Sequence, residues 1–270
     1  MPDVLAADSV THLDSRHRDQ VVLGGSHGGV YAGYLAAKAG LRAVILSDAG
    51  IGKDRAGIGA LAYLDALGMA AATVGHMSAR IGDGADFLAR GVISHVNRTA
   101  AGVGCAPGQG CRDCAEALRA APAWHGAPPD YEEGRVLLRE RAGEPEVWGL
   151  DSASLLAAGD EDRVLITGSH GALPGGQVEL ALGVRARAAV FNDAGVGIDR
   201  VGIARLAGLD AIGVPAATVA AMSARIGDAR STWDDGRVSH VNDLAAALGA
   251  RPGMRTPALA DLVAAGSRRR

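Results

Sequence analysis

The chain has 270 residues, 48% of them hydrophobic and 21% charged, which is typical of a soluble globular protein with one large or two smaller domains. The net charge of -3 and the aromatic content of 3% argue against nucleic acid as a partner, because phosphate binding needs a basic face and base stacking needs aromatic rings. The sequence has no apolar run of the roughly 20 residues that a membrane helix needs, no secretory signal pattern, and only three cysteines. We therefore expect a cytoplasmic protein that binds neither nucleic acid nor membrane.

The first hundred residues alternate between strand and helix patterns. QVVLGG at 20–25 predicts a buried strand, VYAGYLAAKAG at 30–40 a helix, and LRAVILSDAG at 41–50 a second strand. DRAGIGALAYLDALG at 54–68 predicts a second helix and AAATV at 70–74 a third strand. This alternation predicts parallel strands with right-handed crossovers, and ligands gather at the carboxyl ends of such strands.

The pattern occurs twice along the chain. Residues 48–97 and 193–242 are identical at 30 of 50 positions, and GGSHGG at 24–29 corresponds to TGSHGA at 167–172. Repeats of about 115 residues are long enough to bury their own cores. The sequence therefore predicts an α/β fold made of two similar lobes with mainly parallel sheets, related by a pseudo-twofold axis as in a homodimer.

Three segments follow from the repeat. Residues 1–120 form the first lobe, 121–146 a connector, and 147–270 the second lobe with a basic C-terminal tail. RVLLRERAGEPEVWGL, at 135–150, predicts a hairpin that leads into the second lobe.

A glycine-rich turn follows the first predicted strand of each repeat. Gly24-Gly25-Ser26-His27-Gly28 fits the Gly-x-Ser-x-Gly pattern, which exposes a serine hydroxyl beside N–H groups able to stabilise an oxyanion. Over about 30 residues this stretch resembles the nucleophile elbow of the α/β-hydrolase fold. It departs from that family because only about 20 residues precede the elbow and Thr167 replaces the first glycine in the second repeat. We adopt the local geometry alone; the alternative is a turn whose serine and histidine cap the helix.

An acid ends the second predicted strand of each repeat. Asp48 and Asp193 would be buried there, and a buried acid needs a partner, for which His27 or His95 is a natural candidate.

An Asp-Arg pair follows each of these acids, at 54–55 and 199–200. The pair is expected to open a helix, and the free N–H groups of that helix with Arg55 or Arg200 would suit a carboxylate, an imide oxygen or a phosphate. The alternative is a helix capped by the aspartate, with the arginine paired to an acid.

Two further blocks are repeated without change. MSARIGD occupies 77–83 and 222–228, and SHVN occupies 94–97 and 239–242. Identical polar residues favour a function, because packing alone usually preserves only apolar character. In this interpretation the arginines clamp an oxygen, the aspartates orient a histidine, and the histidines act as general bases. The alternative is a buried Arg-Asp pair between the lobes and structural histidines.

The candidate site combines these blocks in one cleft between the lobes. The catalytic candidates are Ser26, His27, Asp48, Asp83, His95, Ser169, His170, Asp193, Asp228 and His240. The substrate-binding candidates are Lys53, Arg55, Arg80, Asn97, Arg200, Arg225 and Asn242.

The leading functional hypothesis is a small-molecule hydrolase that acts on an amide, cyclic amide or ester, with Ser26 or Ser169 as nucleophile. One alternative is a lyase or isomerase that transfers protons through Asp and His. Another is a non-catalytic protein that binds an anionic metabolite between its lobes. The only expected partner is the small-molecule substrate or ligand, and the sequence is also compatible with a homo-oligomer.

No cofactor or metal is expected. The tight spacings of histidines and acids typical of metal sites are absent. Cys105, Cys111 and Cys114 could bind zinc with His95 or His125, but a single Cys-x-x-Cys is a weak signal and we interpret them as ordinary reduced cysteines.

Overall fold

The computed structural model describes residues 1–177 and 182–267, so residues 268–270 of the predicted basic tail lie outside the described residues. Strands make up two sheets: β1 (Val4–Ala7), β2 (Val21–His27), β3 (Ala43–Ser47), β4 (Ala70–Val74), β5 (Ile93–Val96), β6 (Arg135–Arg139), β7 (Val147–Leu150), β8 (Val164–His170), β9 (Ala188–Asn192), β10 (Ala216–Val219) and β11 (Val238–Val241). The α-helices are α1 (Val30–Lys38), α2 (Gly59–Ala66), α3 (Gly84–Arg90), α4 (Arg98–Ala101), α5 (Cys111–Leu118), α6 (Arg205–Ala211), α7 (Ala229–Asp234), α8 (Asp243–Ala247) and α9 (Thr256–Ser267). The chain is thus an α/β protein with two sheets.

The first sheet has five strands in the order β1-β2-β3-β4-β5. Its first four strands are parallel, as the alternation of strand and helix patterns predicts, and β5 is antiparallel to β4. Because the strand order never reverses, no crevice of the doubly wound kind opens within this sheet.

The second sheet has six strands in the order β11-β10-β9-β8-β7-β6. Strands β7 to β10 are parallel, and the two edge strands are antiparallel to their neighbours. The predicted hairpin is confirmed, since β6 pairs with β7 in antiparallel register, with Arg135 opposite Leu150. The last part of the connector therefore forms the edge of this sheet.

Helices cover both faces of the first sheet. Helices α1 and α2 bury one face around Val22 and Val44, while α3 and α5 bury the other face around Leu23 and Ile45. This packing explains why β2 begins as an uninterrupted apolar run, because a parallel strand is buried on both sides. The polar residues at the end of β2 mark the point where the strand leaves the core.

A left-handed loop follows β3, and a matching loop follows β9. Positive φ angles of +47° to +73° occur at Ala49, Gly50, Ile51, Gly52, Asp54 and Arg55. In the second loop, φ angles of +49° to +74° occur at Ala194, Gly195, Val196, Gly197, Asp199 and Arg200. Non-glycine residues adopt this region only where surrounding contacts impose it, and a β-branched residue does so rarely. Tertiary contacts therefore hold both loops in shape.

The two left-handed loops meet between the sheets, where a methyl group added to Gly50 would lie 2.8 Å from the Gly195 Cα. Each loop also binds the opposite repeat through backbone hydrogen bonds. The Lys53 N–H donates to the Ala221 carbonyl at 2.9 Å, and the Ile198 N–H donates to the His76 carbonyl at 2.9 Å. These are corresponding positions in the repeated sequence. A small apolar cluster between the sheets completes the contact, with Ala49, Ile81, Ala172, Ala194 and Ile226 buried in it.

Within the described part of the chain, every helix is too short or too polar to cross a bilayer.

Candidate functional site

A cavity of about 420 Å³ lies where the ends of β2 and β8 meet. Ser26 and His27 line it from the first lobe, Ser169 and His170 line it from the second, and Glu133 lines it from the connector. Its size falls within the range of small-molecule sites. The cavity thus brings together the two Ser-His pairs that the sequence placed in one cleft.

Both serines of the cavity are bound to nearby backbone. The Ser26 Oγ accepts a hydrogen bond from the Val10 N–H at 3.0 Å, and the Ser169 Oγ accepts one from the Ala153 N–H at 2.8 Å. In residues 1–177 and 182–267, neither hydroxyl hydrogen bonds to a histidine. The Ser26 Oγ also lies 3.3 Å from the Ser9 Oγ. An activated nucleophile needs a base within reach, so the serines stand here as polar lining groups.

Both histidines of the cavity accept a hydrogen bond at Nδ1. The donor is the Gly29 N–H for His27, at 3.1 Å, and the Ala172 N–H for His170, at 3.3 Å. A nitrogen that accepts from an N–H carries a lone pair, which assigns the proton of each neutral ring to Nε2. Each ring therefore presents an Nε2–H donor, and this tautomer differs from the general base that the sequence predicts.

Burial keeps both rings neutral at physiological pH. It lowers the pKa of His27 to about 4. Burial also lowers the pKa of His170 to about 3, with further contributions from the positive charge of Arg205 and from His27. Both rings line the same cavity, one from each lobe.

These two histidines are expected to make the protein acid-labile. A histidine whose folded pKa lies below its unfolded value of about 6.5 binds its proton preferentially in the unfolded chain, so stability falls as pH drops from about 6.5 toward 4. At pH 5 each ring is expected to lower the free energy of unfolding by about 2 kcal/mol relative to pH 7.5. Thermal unfolding of His27→Asn and His170→Asn at both pH values checks this.

The asparagine variants should lose less stability on acidification than the wild type. The exposed His125 provides the control, because His125→Asn should keep the wild-type pH dependence. Identical acid sensitivity in all four proteins would contradict the assignment.

Two charged residues of the cavity, Arg205 and Glu133, could not be found by comparing the two repeats of the sequence. Arg205 corresponds to Ala60 of the first repeat, and Glu133 belongs to the connector, so neither is shared by the repeats. The Arg205 guanidinium is buried, donates to the Ala172 carbonyl at 2.9 Å and lies 4.7 Å from the Phe191 ring centre. Burial lowers the Arg205 pKa to about 10, which leaves a positive charge at neutral pH.

Asp48 and Asp193 are buried, as predicted, and their carboxylates accept hydrogen bonds from backbone N–H groups. Asp48 accepts hydrogen bonds from the N–H groups of Gly50 and His76 and lies 2.9 Å from the His76 Nδ1. The partner of Asp48 is thus His76, and neither His27 nor His95. Burial disfavours the charged Asp48, but the His76 ring and the N–H donors outweigh it and lower the pKa. Asp193 accepts from the corresponding N–H groups of the second lobe.

The other repeated acids and amides cap helices. Asp83 caps α3 and Asp228 caps α7, each by accepting from an N–H of the first turn. Asn97 and Asn242 are buried caps of α4 and α8, and their side chains also bind the backbone of β4 and β10. None of the four lines the cavity.

Arg80 and Arg225 form ion pairs between the lobes and do not reach the cavity. The Arg80 guanidinium lies 2.7 Å from Asp199, and that of Arg225 lies 3.0 Å from Asp54. These contacts also correct the alternative in which Asp54 and Asp199 cap helices, because α2 begins later and has no side-chain cap.

Lys53 also pairs across the lobes. Its Nζ lies 2.7 Å from an Asp235 carboxylate oxygen. The corresponding position of the second repeat is Ile198, so this contact has no counterpart there.

The remaining candidates lie away from the cavity. His95 and His240 sit on the antiparallel strands β5 and β11, and the buried Nδ1 of each has no hydrogen-bond partner within the described residues. Arg55 and Arg200 are exposed in the left-handed loops, ahead of α2 and α6, so they do not open helices.

The three cysteines pack in the core beneath the first sheet. Cys105, Cys111 and Cys114 are all buried and free, and the Cys105 Sγ lies 3.5 Å from the Cys114 carbonyl. Across residues 1–177 and 182–267, no group of three or more His, Cys, Asp or Glu side chains is arranged to hold a metal ion. The zinc alternative thus gains no support from the geometry.

Comparisons of the chain with protein-family models, with curated proteins and with solved structures gave no match.

Proposed function

We propose that the protein is an enzyme that moves a proton on a small carbonyl compound, an isomerase or a lyase, in the cavity between its lobes. The observation that carries the proposal is the pair of neutral histidines, His27 and His170, on the wall of one cavity with an Nε2–H each. A neutral imidazole that donates a hydrogen bond polarises a carbonyl and stabilises the enolate that forms when a neighbouring C–H bond breaks.

The environment of the rings supports this role. Donors fixed in a partly desolvated cavity stabilise developing negative charge better than water does, because they need no reorganisation during the reaction. Their low pKa values keep both rings in the donor form throughout the neutral range. Arg205 adds a fixed positive charge on the His170 side, which favours an anionic or strongly polar substrate.

We further propose that the lobes arose by duplication, are related by a pseudo-twofold axis and share one site. The reciprocal contacts support this: the Lys53 and Ile198 N–H groups bind corresponding carbonyls, and Arg80 and Arg225 pair with corresponding aspartates of the opposite lobe. Corresponding residues of the two repeats also line the same cavity. A shared site accounts for the retention of the same polar blocks in both copies.

The hydrolase of the leading sequence hypothesis is the second candidate. Ser26 and Ser169 line the same cavity, and each keeps a hydroxyl proton able to donate or to be removed. In this mechanism Ser26 or Ser169 attacks an amide or ester carbonyl, and the histidine N–H groups stabilise the resulting oxyanion. The carbonyl then re-forms as the C–N or C–O bond breaks, the serine proton leaves with the amine or alcohol, and water hydrolyses the acyl-serine.

Two features support the proposed setting. The three free cysteines fit a reducing cytoplasm. Met77 and Met222, at corresponding positions of the repeats, are 61% and 70% exposed, which supports a contact with a further copy of the chain.

A labelling experiment separates the candidate functions. The protein is incubated with a panel of small keto acids, hydroxy acids, cyclic amides and esters, once in D₂O and once in H₂¹⁸O. Proton transfer is expected to place deuterium on carbon, and this exchange should persist in Ser26→Ala and Ser169→Ala.

The hydrolase predicts the opposite pattern. It places ¹⁸O in a product carboxyl group, leaves carbon-bound hydrogen unexchanged, and loses activity in a serine variant. A compound that raises the melting temperature without being turned over identifies a binding protein, because a ligand stabilises the folded state by RT ln(1 + [L]/Kd).

A further inference from the structure

We propose that Glu133, contributed by the connector, is the catalytic base that removes the proton from the substrate and returns it. This inference rests on the proposed function, because it supplies the group that the two donor histidines lack. Glu133 lines the same cavity as His27 and His170. Of the described residues that line this cavity, it is the only acid.

The backbone next to Glu133 is fixed to the second lobe. The Gly134 N–H donates to the Asp151 carboxylate at 2.6 Å, and the Asp151 N–H donates back to the Gly134 carbonyl at 3.0 Å. The other Asp151 oxygen accepts from the Ala229 N–H at 2.9 Å. The segment after Glu133 is therefore tied to both β7 and α7.

The segment before Glu133 is fixed to the first lobe. The Tyr131 ring lies 5.9 Å from that of Tyr31 and 6.2 Å from that of Tyr34, both on α1. Both pairs are tilted, with interplanar angles of 43° and 36°, and aromatic rings at these distances attract each other. Glu133 is thus held between an anchor on each lobe, which places its carboxyl group at the junction where the cavity lies.

The surroundings of Glu133 suit proton exchange near neutral pH. Burial and the negative charge of Asp151 raise its pKa to about 7, and the Ser154 hydroxyl partly opposes this shift. Several other titratable or charged groups surround Glu133 in the cavity and in the elements packed against it. They are Tyr131 of its own segment, Tyr31 of α1, Asp151 after β7, and the cavity residues His12, His27, His170 and Arg205. At pH 7 both the carboxylate and the carboxylic acid are populated, as an acid–base catalyst requires.

The reaction step balances with these groups alone. The Glu133 carboxylate takes a proton from the carbon next to the substrate carbonyl, and the C–H electron pair moves into the carbon skeleton. The carbonyl oxygen becomes an enolate oxygen, which accepts from the Nε2–H of His27 or His170. In an elimination, the carboxylic acid then gives the proton to the leaving group as the bond between that group and the carbon skeleton breaks, and the enolate electrons form the C=C bond and restore the carbonyl. In an isomerisation of a hydroxy carbonyl compound, it gives the proton to the former carbonyl carbon, while the proton of the neighbouring hydroxyl group passes to the enolate oxygen and the carbon bearing that hydroxyl becomes the new carbonyl.

The other predicted acids do not fit this role. Asp48 and Asp193 are buried and hold backbone N–H groups, while Asp83 and Asp228 cap helices. None of the four lines the cavity.

A first test needs no substrate. An acid whose folded pKa is above its unfolded value of about 4.3 binds its proton preferentially in the folded chain, so its contribution to stability is lost as pH rises from about 4.3 to 7. E133Q is therefore expected to melt about 2 to 6 °C above the wild type at pH 8 and within about 1 °C of it at pH 4. E132Q, at the exposed neighbouring position, should match the wild type at both pH values. Equal melting of E133Q and wild type at pH 8 would overturn the placement of Glu133.

The second test uses a compound that passes the deuterium screen. E133Q should lower kcat by about 10² to 10⁴ and change KM little, and E133D should restore part of the rate. The wild-type rate should follow an ionisation near pH 7 that the residual E133Q activity lacks. If His27→Asn abolishes deuterium exchange but E133Q keeps the wild-type rate, the Glu133 inference fails and the proposed function stands. If the wild-type protein exchanges no carbon-bound proton in any compound, the proposed function fails and takes this inference with it.

Discussion

His27→Asn and His170→Asn are each expected to lower kcat by about 10² to 10³, or about 2.7 to 4 kcal/mol of transition-state stabilisation. Asparagine can still accept the backbone N–H that each Nδ1 accepts in the wild type, from Gly29 or Ala172. The asparagine side chain cannot place an N–H donor at the position that the histidine Nε2–H occupies. The loss should therefore appear in kcat, with the fold intact, measured on a compound identified by deuterium exchange.

The size of each loss also shows how many sites the protein has. If the lobes share one site, each single variant loses nearly all activity. Retention of about half the rate in each single variant, with loss only in the double variant, would instead establish one independent site per lobe. His125→Asn, which replaces an exposed histidine, should keep the wild-type rate.

Gly50→Ala is expected to lower the free energy of unfolding by about 2 to 4 kcal/mol, combining left-handed strain with overpacking. Gly50 has a φ of +73°, and a methyl group there would lie 2.8 Å from the Gly195 Cα in the opposite loop. Neither loop can yield easily, because each is a run of left-handed residues held by tertiary contacts. Urea unfolding of the purified variant measures the loss.

Gly68→Ala is the matched control for this substitution. Gly68 has nearly the same φ, +74°, but a methyl group there meets nothing within 4 Å. Its loss should be about 1 kcal/mol, from backbone strain alone. If Gly50→Ala and Gly68→Ala cost the same, the close approach of the two loops is not a feature of the folded protein in solution.

The local structure of this protein could largely be predicted from its sequence. The apolar runs at 20–25, 41–50 and 70–74 correspond to β2, β3 and β4, because a buried parallel strand needs apolar residues on both faces. The short β1 and the antiparallel β5 were missed. Strands of four residues carry too little pattern to be recognised without their neighbours in the sheet.

The left-handed loops show where local rules give the wrong answer. The Asp-Arg pair at 54–55 has the composition of a helix start, yet both residues have positive φ and α2 begins at Gly59. The conformation is imposed by contacts such as the hydrogen bond from Lys53 N–H to the Ala221 carbonyl, which comes from a residue far along the chain. No local sequence pattern encodes such a contact.

By itself, the sequence determined that the chain repeats an α/β pattern and that a Ser-His pair ends the first long strand of each repeat, since both facts are written in residues close together in the chain. Only the tertiary structure decided which repeated residues line the cavity. It assigned Asp83, Asn97 and their counterparts to helix caps and Arg80 to an ion pair between the lobes. It also added Arg205 and Glu133, which the repeats do not share. The reason is physical: a cap or an ion pair preserves a polar residue as strictly as a catalytic role does, and only the three-dimensional positions of the partners distinguish these roles.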